Sequence, residues 1–379
     1  MTFDFDTPIT RRGTGSIKFD RRPELEPFWV ADMDFASAPE ILEALHRRVE
    51  HGVFGYAQAH EGLNAAVLDY LRTRRSAEVP LEQIIHLGGL VPALSLAARA
   101  CCGPGEAVLT CTPVYPPFLN VHHDARVALV TVDHGFEDGR WIFDWAAMER
   151  AVTRQTRVFL LCNPQNPLGR VFSRAEVMQL ALFCEAHDLV LVSDEIHCDL
   201  IFDEAATPHV SALNLPPALA KRTITLLSPS KTWNIAGLGY AYAVIPDAAL
   251  RHRFAATRGH TLSEINALSY YAAEAAYRHG EPWRVALLAY LKTNRDSLVD
   301  FIRTRGPELS VVAGDATYLA WLDARSLGVA SPAGHWEQRA GLLLSDGASF
   351  AWPGWIRFNF GCPHARLMEG LEKLCRALT

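Results

Sequence analysis

The sequence predicts an α/β fold, a mostly parallel sheet sandwiched by helices, joined to a smaller α+β region near the C-terminus. Three observations carry that expectation. Continuous apolar runs such as Leu189-Val190-Leu191-Val192 and Thr223-Ile224-Thr225-Leu226-Leu227 have the composition of strands buried on both faces. Several of these runs lead through a turn into apolar residues at helical spacing, the alternation that builds a parallel sheet. Polar residues capable of chemistry stand just past the runs, at Asp194 and Lys231, and sheets of this kind bind ligands beyond the carboxyl ends of their strands.

Taken in order, residues 1 to 38 read as an arm with little regular structure. Its apolar stretch Pro27-Phe28-Trp29-Val30-Ala31-Asp32-Met33-Asp34-Phe35 is expected to pack beside the active site. A helix begins at Pro39 and ends at Gly52. Gln83 to Leu87 reads as a strand that turns through Gly88-Gly89 into a helix carrying Leu94, Leu96 and Ala97. The paired glycines allow two readings, an anion seat at a helix N-terminus or an ordinary βα loop. Ala107 to Thr110 is a strand, and the prolines that follow fix the backbone around Tyr115. Val158 to Cys162 is a buried strand leading into Asn163-Pro164-Gln165-Asn166-Pro167-Leu168-Gly169, an obligate turn. Ser173 and Glu176 form a capping box for the next helix. Tyr240 to Pro246 is expected to be an edge or antiparallel strand. A helix-rich region runs from about 248 to 305, its last element long enough to connect two domains. Strands at 309–312, 318–322 and 355–360 and a final amphipathic helix complete the chain. The implied domains are an arm over 1–40, a large domain over 41–285 and a small one over 286–379.

Composition narrows the function classes. The 379 residues are 49% hydrophobic, ample for a large core, and the net charge of -6 comes from interspersed charges, so neither nucleic acid nor an anionic membrane is implied. No run is long and apolar enough to span a bilayer, and the N-terminus lacks a secretion signal. The eight cysteines are scattered without CxxC pairs and read as reduced residues of a cytoplasmic protein. HExxH and GxSxG are absent, which removes support for zinc and serine hydrolases. Gly237-Leu238-Gly239 lacks the third glycine of a dinucleotide fingerprint and is expected to serve close packing.

Lys231 lies in Ser228-Pro229-Ser230-Lys231-Thr232, after a buried strand. Desolvation disfavours an ammonium, so such an amine suits attack on a carbonyl. In Trp355-Ile356-Arg357-Phe358-Asn359-Phe360, alternation sends Arg357 and Asn359 away from the apolar face. Arg357 can there bind an anion or make a salt bridge.

Together, Tyr115, Asn166, Asp194, Lys231 and Arg357 resemble the constellation of fold-type I pyridoxal-phosphate enzymes, the aspartate aminotransferase-like superfamily. The resemblance covers nearly the whole chain. It is closest to the cystathionine β-lyase, or C-S lyase, branch of the MalY/PatB type. The motifs that carry it are Trp29 to Phe35, Phe54-Gly55-Tyr56, Thr112 to Phe118, Pro164-Gln165-Asn166-Pro167, Ser193-Asp194-Glu195-Ile196-His197 and Arg357 to Pro363.

The resemblance implies a seven-stranded sheet and pyridoxal 5'-phosphate as cofactor. By that likeness Lys231 bonds the cofactor aldehyde and is then the base at the substrate α-carbon. Asp194 pairs with the pyridine nitrogen, Asn166 donates to the ring hydroxyl oxygen, and Tyr115 stacks on the ring. Gly89, Leu90, Ser228 and Ser230 hold the phosphate, Arg357 clamps the substrate carboxylate, and the Asn166-Pro167 bond is cis. Tyr56 completes the partner subunit's site, which implies a homodimer. Two positions depart from the aminotransferase pattern: His197 stands for tyrosine, and Gly239 for a phosphate-binding arginine. His197 is grouped with the cofactor-binding residues, its role left open. The activity implied is cleavage of cystathionine or a related cysteine conjugate to thiol, pyruvate and ammonia. An aminotransferase, or a regulatory protein retaining the fold, is the alternative.

Overall fold

The computed structural model describes residues 3–259 and 262–378. Its large sheet has seven strands: β1 (Ile84–Leu87), β2 (Ala107–Thr112), β3 (Ala128–Asp133), β4 (Thr156–Cys162), β5 (Val190–Asp194), β6 (Thr223–Leu227) and β7 (Ala241–Val244), in the order β1-β7-β6-β5-β4-β2-β3. Neighbours from β6 to β3 pair in parallel, whereas β7 is antiparallel to both β6 and β1. Because β1 and β6 each oppose β7, they run the same way. Six strands, all but β7, therefore present their carboxyl ends along one edge.

The antiparallel strand expected near residue 240 is present, but it lies inside the sheet and not at its edge. Every residue of β7 is buried, including Tyr242 and Val244, and β1 covers its outer side. Helices α1 (Pro39–Glu50), α2 (Glu61–Arg75), α3 (Leu90–Cys101), α4 (Pro116–Ala125) and α5 (Arg174–Ala186) belong to the large sheet's half of the molecule. The capping box of α5 forms as expected: Ser173 Oγ accepts from Glu176 N at 3.3 Å, and Glu176 Oε2 from Ser173 N at 2.7 Å.

The 25-residue helix α6 (Glu281–Arg305) leads to the second sheet. There β8 (Ser310–Val311), β9 (Leu319–Asp323), β10 (Ser345–Asp346) and β11 (Trp355–Asn359) pair antiparallel in the order β8-β9-β11-β10. Helix α7 (His364–Arg376) packs behind it. Phe28 stacks on Phe358 with ring centroids 4.5 Å apart, and a Cβ on Gly370 of α7 would meet the Phe28 ring at 2.5 Å. Burying one such ring contributes roughly 2–3 kcal/mol.

The N-terminal arm is tied down more firmly than its lack of regular structure suggests. Asp34 accepts from Arg11 at 2.6 Å, from Lys18 at 2.9 Å and from Arg366 of α7 at 2.5 Å. Burial opposes ionisation of Asp34, yet the charges of Lys18, Arg366 and Arg11 hold its carboxyl below the usual range. All eight cysteines are free thiols, and no helix among the described residues is long and apolar enough to cross a membrane.

Candidate active site

The loops beyond five of these six strands enclose a cavity of about 220 Å3. Gly88, Gly89 and Leu90 after β1 line it, as do Tyr115 after β2, Cys162 and Asn166 from β4, Asp194, Ile196 and His197 at the end of β5, and Ser230 and Lys231 after β6. Ala31 of the arm closes one side, so the stretch expected beside the site does lie there.

Each wall has a physical origin. Gly89 precedes α3, whose first residues Leu90, Val91 and Pro92 line the cavity and whose dipole favours an anion. Gly88 can approach because residue 239 is glycine: a Cβ there would sit 2.8 Å from Gly88 O, and Gly239 has φ +64°. Close packing is what the Gly237-Leu238-Gly239 stretch was expected to provide. Ser230 lines the cavity beside this turn, while Ser228 stands behind it, its Oγ donating to Tyr240 O at 2.6 Å and lying 2.8 Å from Ser230 Oγ.

Asp194 is buried with a hydrogen bond from Ile196 N at 3.0 Å. Burial, followed by the nearby charge of Glu195, lifts its carboxyl to about 7, so the site favours a cation against it. Lys231 Nζ donates to Ala31 O at 2.6 Å, and burial, with the charge of Arg357, lowers its ammonium to about 8. Lys231 therefore gives up its proton readily near neutral pH. His197 is driven down to about 3 by burial and by the charges of Lys231 and Arg357, which leaves it a neutral imidazole; its Nδ1 is buried without a partner among the described residues.

Arg357 enters from β11 of the other sheet. Its neighbours Ile356 and Phe358 pack into the apolar core, and Arg357 turns to Asn166, donating from Nη1 to Oδ1 at 2.9 Å and from Nη2 to Trp29 O at 2.7 Å. Its Nε is buried with no partner among the described residues, and burial lowers the guanidinium to about 10. An incoming carboxylate would relieve that burial. The Asn166-Pro167 bond is cis, as expected, and so are Thr112-Pro113 and Asn163-Pro164. Tyr56 is the outlier: its side chain is 102% exposed and takes no part in this cavity.

The sequence profile of the aminotransferase class I and II family matches residues 28–374. The chain belongs to that family. Among its relatives, cystathionine beta-lyase PatB of Bacillus subtilis is 35% identical over 99% of this chain and 100% of its own length. The crystal structure of OvoB matches with a TM-score of 0.96 and 39% identity, over 100% of this chain and 99% of its own. Cystalysin of Treponema denticola, solved with pyridoxal 5'-phosphate, matches with a TM-score of 0.94 and 30% identity over 100% and 99%.

Within this family member some contributors were invisible in the sequence. Ala31 acts through a backbone carbonyl, which accepts from both Lys231 Nζ and Tyr318 OH, and no side-chain pattern marks such a role. Asn234 and Asn359 hold the same arm segment through Met33, Phe35 and Asp32. Two asparagines each followed by an apolar residue in a loop or strand offer no signal of that bridging.

Proposed function

We propose that this protein is a pyridoxal-phosphate-dependent carbon–sulfur β-lyase, cleaving L-cystathionine or a related cysteine S-conjugate to a thiol, pyruvate and ammonia. The reading is carried by one juxtaposition: a buried amine (Lys231) and a buried carboxylate (Asp194) line one cavity, and a buried guanidinium with a spare donor (Arg357) stands behind its wall, bonded to the lining residue Asn166. Those groups complement an aldehyde, a protonated ring nitrogen and an amino-acid carboxylate, and the α3 N-terminus with Ser230 suits a phosphate. The names borne by PatB and other relatives point the same way.

When bound, the cofactor supplies an electron sink that acidifies the substrate α-carbon. Asp194 would pair with the ring nitrogen and keep its proton in place. Asn166, His197 and Tyr115 would hold the ring, and Arg357 would fix the substrate carboxylate in a charge-assisted contact. Lys231 Nζ takes the α-proton and delivers it to the departing sulfur. The Cα–H and Cβ–S bonds break, the sulfur leaves with its electron pair, and water converts the remaining enamine to pyruvate and ammonia.

The same reading makes the protein a cytoplasmic homodimer in which Tyr56 reaches the partner's phosphate site. Its full exposure, beside exposed Val53 and Phe54, supports that arrangement. The test is direct: purify the protein, record its visible spectrum, and assay pyruvate and homocysteine from cystathionine with and without an added keto acid. Absence of a cofactor absorption band, or turnover only with a keto-acid acceptor, would overturn the reading; the latter would make it an aminotransferase.

A further inference from the structure

Glu195, next in the chain to Asp194, is buried at 0% exposure and turned away from the cavity. Strand alternation puts the two carboxylates on opposite sides of the chain. Nothing in the proposed reaction uses Glu195, yet its side chain is fully engaged. Oε1 accepts from Ser193 Oγ at 2.9 Å and from Ala212 N at 2.8 Å, and Oε2 accepts from His209 Nε2 at 2.9 Å. Burial alone would raise its carboxyl, but the charge and hydrogen bond of His209 bring it below the usual range. A buried carboxylate is retained at a cost unless every lone pair is used.

What this engagement holds is the end of β5. Asn163 N donates to Asp194 O at 2.9 Å, and Glu195 N donates to Leu226 O at 2.9 Å. The 194–195 pair is therefore stitched between the strand leading to Asn166 and the strand leading to Lys231. Asp194's own carboxylate has a single tether among the described residues, the Ile196 N–H. Its aim depends on the backbone beneath it, and Glu195 fastens that backbone to the 209–212 segment from behind.

We infer that Glu195, braced by His209 and Ala212 N, is a positioning residue that aims Asp194 into the cavity. The inference rests on the reading of Asp194 as the partner of the cofactor ring nitrogen. In Glu195→Gln, a neutral amide donor takes the place of the Oε2 acceptor, so the charge-assisted contact with His209 is lost, leaving at most a neutral contact through the other ring tautomer, while size is kept. In the double variant Glu195→Gln with His209→Gln, the second amide offers a carbonyl to that donor and restores the strut.

The experiment uses holoenzyme reconstituted with ring-15N pyridoxal phosphate, whose nitrogen resonance reports protonation of the ring, together with deuterium exchange at the α-carbon of alanine. Expected in Glu195→Gln are a resonance moved toward the unprotonated position and exchange slowed roughly tenfold, with the KM for alanine unchanged. Both return toward wild type in the double variant. A purely structural role would lower the melting temperature and leave the resonance in place, so a wild-type resonance in folded Glu195→Gln holoenzyme overturns the inference. Should that variant fail to accumulate as holoenzyme, His209→Ala, which removes the same strut from the other side, must move the resonance likewise, and a wild-type resonance there overturns it equally. Failure of the wild-type protein to bind labelled cofactor at all instead overturns the reading on which the inference rests.

Discussion

Arg357 Nη1 donates to Asn166 Oδ1 at 2.9 Å, joining the small sheet to the Asn-Pro turn of the large one. A guanidinium has only donors, so the asparagine must present its oxygen to Arg357, and its amide nitrogen is left facing the cavity. The carboxylate clamp thus orients the group expected to hold the cofactor oxygen.

Arg357→Ala should therefore cut kcat/KM for amino-acid substrates by about 30-fold or more, the roughly 2–5 kcal/mol lost with one partner of a buried charge-assisted contact. Cofactor affinity should fall far less, because Asn166 remains and loses only the contact that orients its amide. Steady-state kinetics and cofactor titration separate the two effects; loss of cofactor with unchanged KM would make Arg357 structural.

Asp194 gives a pH-dependent prediction. Its folded carboxyl titrates near 7, against an ordinary value near 4. In cofactor-free protein both states are protonated below about pH 4, and the unfolded state ionises first as pH rises. The group's stabilising contribution is lost between about 4 and 7, leaving a penalty of up to about 4 kcal/mol above that window. Cofactor-free Asp194→Asn should match wild type in urea unfolding at pH 4 and exceed it at pH 8. With cofactor bound the order should reverse, and α-proton loss should slow by roughly 3–5 kcal/mol in barrier. Wild type outlasting the variant at pH 8 without cofactor would refute the burial argument.

The parts of the fold legible in sequence were those with local signals. Strands β4, β5 and β6 announced themselves as buried apolar runs, and α5 by its capping box. By contrast α2 and β3 lack a start or stop signal of that kind. Helix α2 starts at His60, whose side chain accepts from Leu63 N, a residue that is not a usual start signal. The helix before β3 ends at Arg126 with φ 57°, where a glycine would have marked the stop. Strand β3 is an edge strand with Ala128, Thr131 and Asp133 exposed, although Val127 to Val132 is itself a mainly apolar run that marks it. At the site, Lys231, Asp194, Asn166, Tyr115 and Gly89 converge because each follows a strand of common direction. The carbonyl of Ala31 joins them from a distant arm, a placement that only the packed structure supplies.

Gly239→Ala should disturb the candidate phosphate turn from a distance. The new Cβ would lie 2.8 Å from Gly88 O on a backbone with φ +64°, so strain and contact act together. A loss of about 1–3 kcal/mol in stability is expected, accompanied by weaker cofactor binding. Thermal melts and cofactor titration measure both, and unchanged cofactor affinity would argue that Gly88 shifts without consequence for the site.

Lys231→Ala should abolish turnover and the borohydride-reducible bond between protein and cofactor, because attachment and proton transfer pass through the same amine. The fold should survive, since Ala31 O keeps its donor in Tyr318 OH at 2.9 Å. Intact-protein mass after borohydride reduction decides: a retained cofactor adduct in the variant would remove Lys231 from its assigned place.

Which reaction prevails is decided after Lys231 Nζ has taken the α-proton. Transamination needs that proton returned to the cofactor and the amino group left behind, so it turns over only with a keto-acid acceptor. Elimination needs only a leaving group on the β-carbon, and the same lysine ammonium, with a pKa near 8 from burial and the Arg357 charge, is acidic enough to protonate a departing thiolate. Cystathionine should therefore give pyruvate and homocysteine in equal amounts without added keto acid. Alanine, which has no leaving group, should exchange its α-proton with solvent deuterium and convert the cofactor to its amine form only slowly. Product analysis by mass spectrometry distinguishes the outcomes, and a sulfur-containing keto acid accumulating from cystathionine would show that the amino group, and not the thiol, is what this site removes.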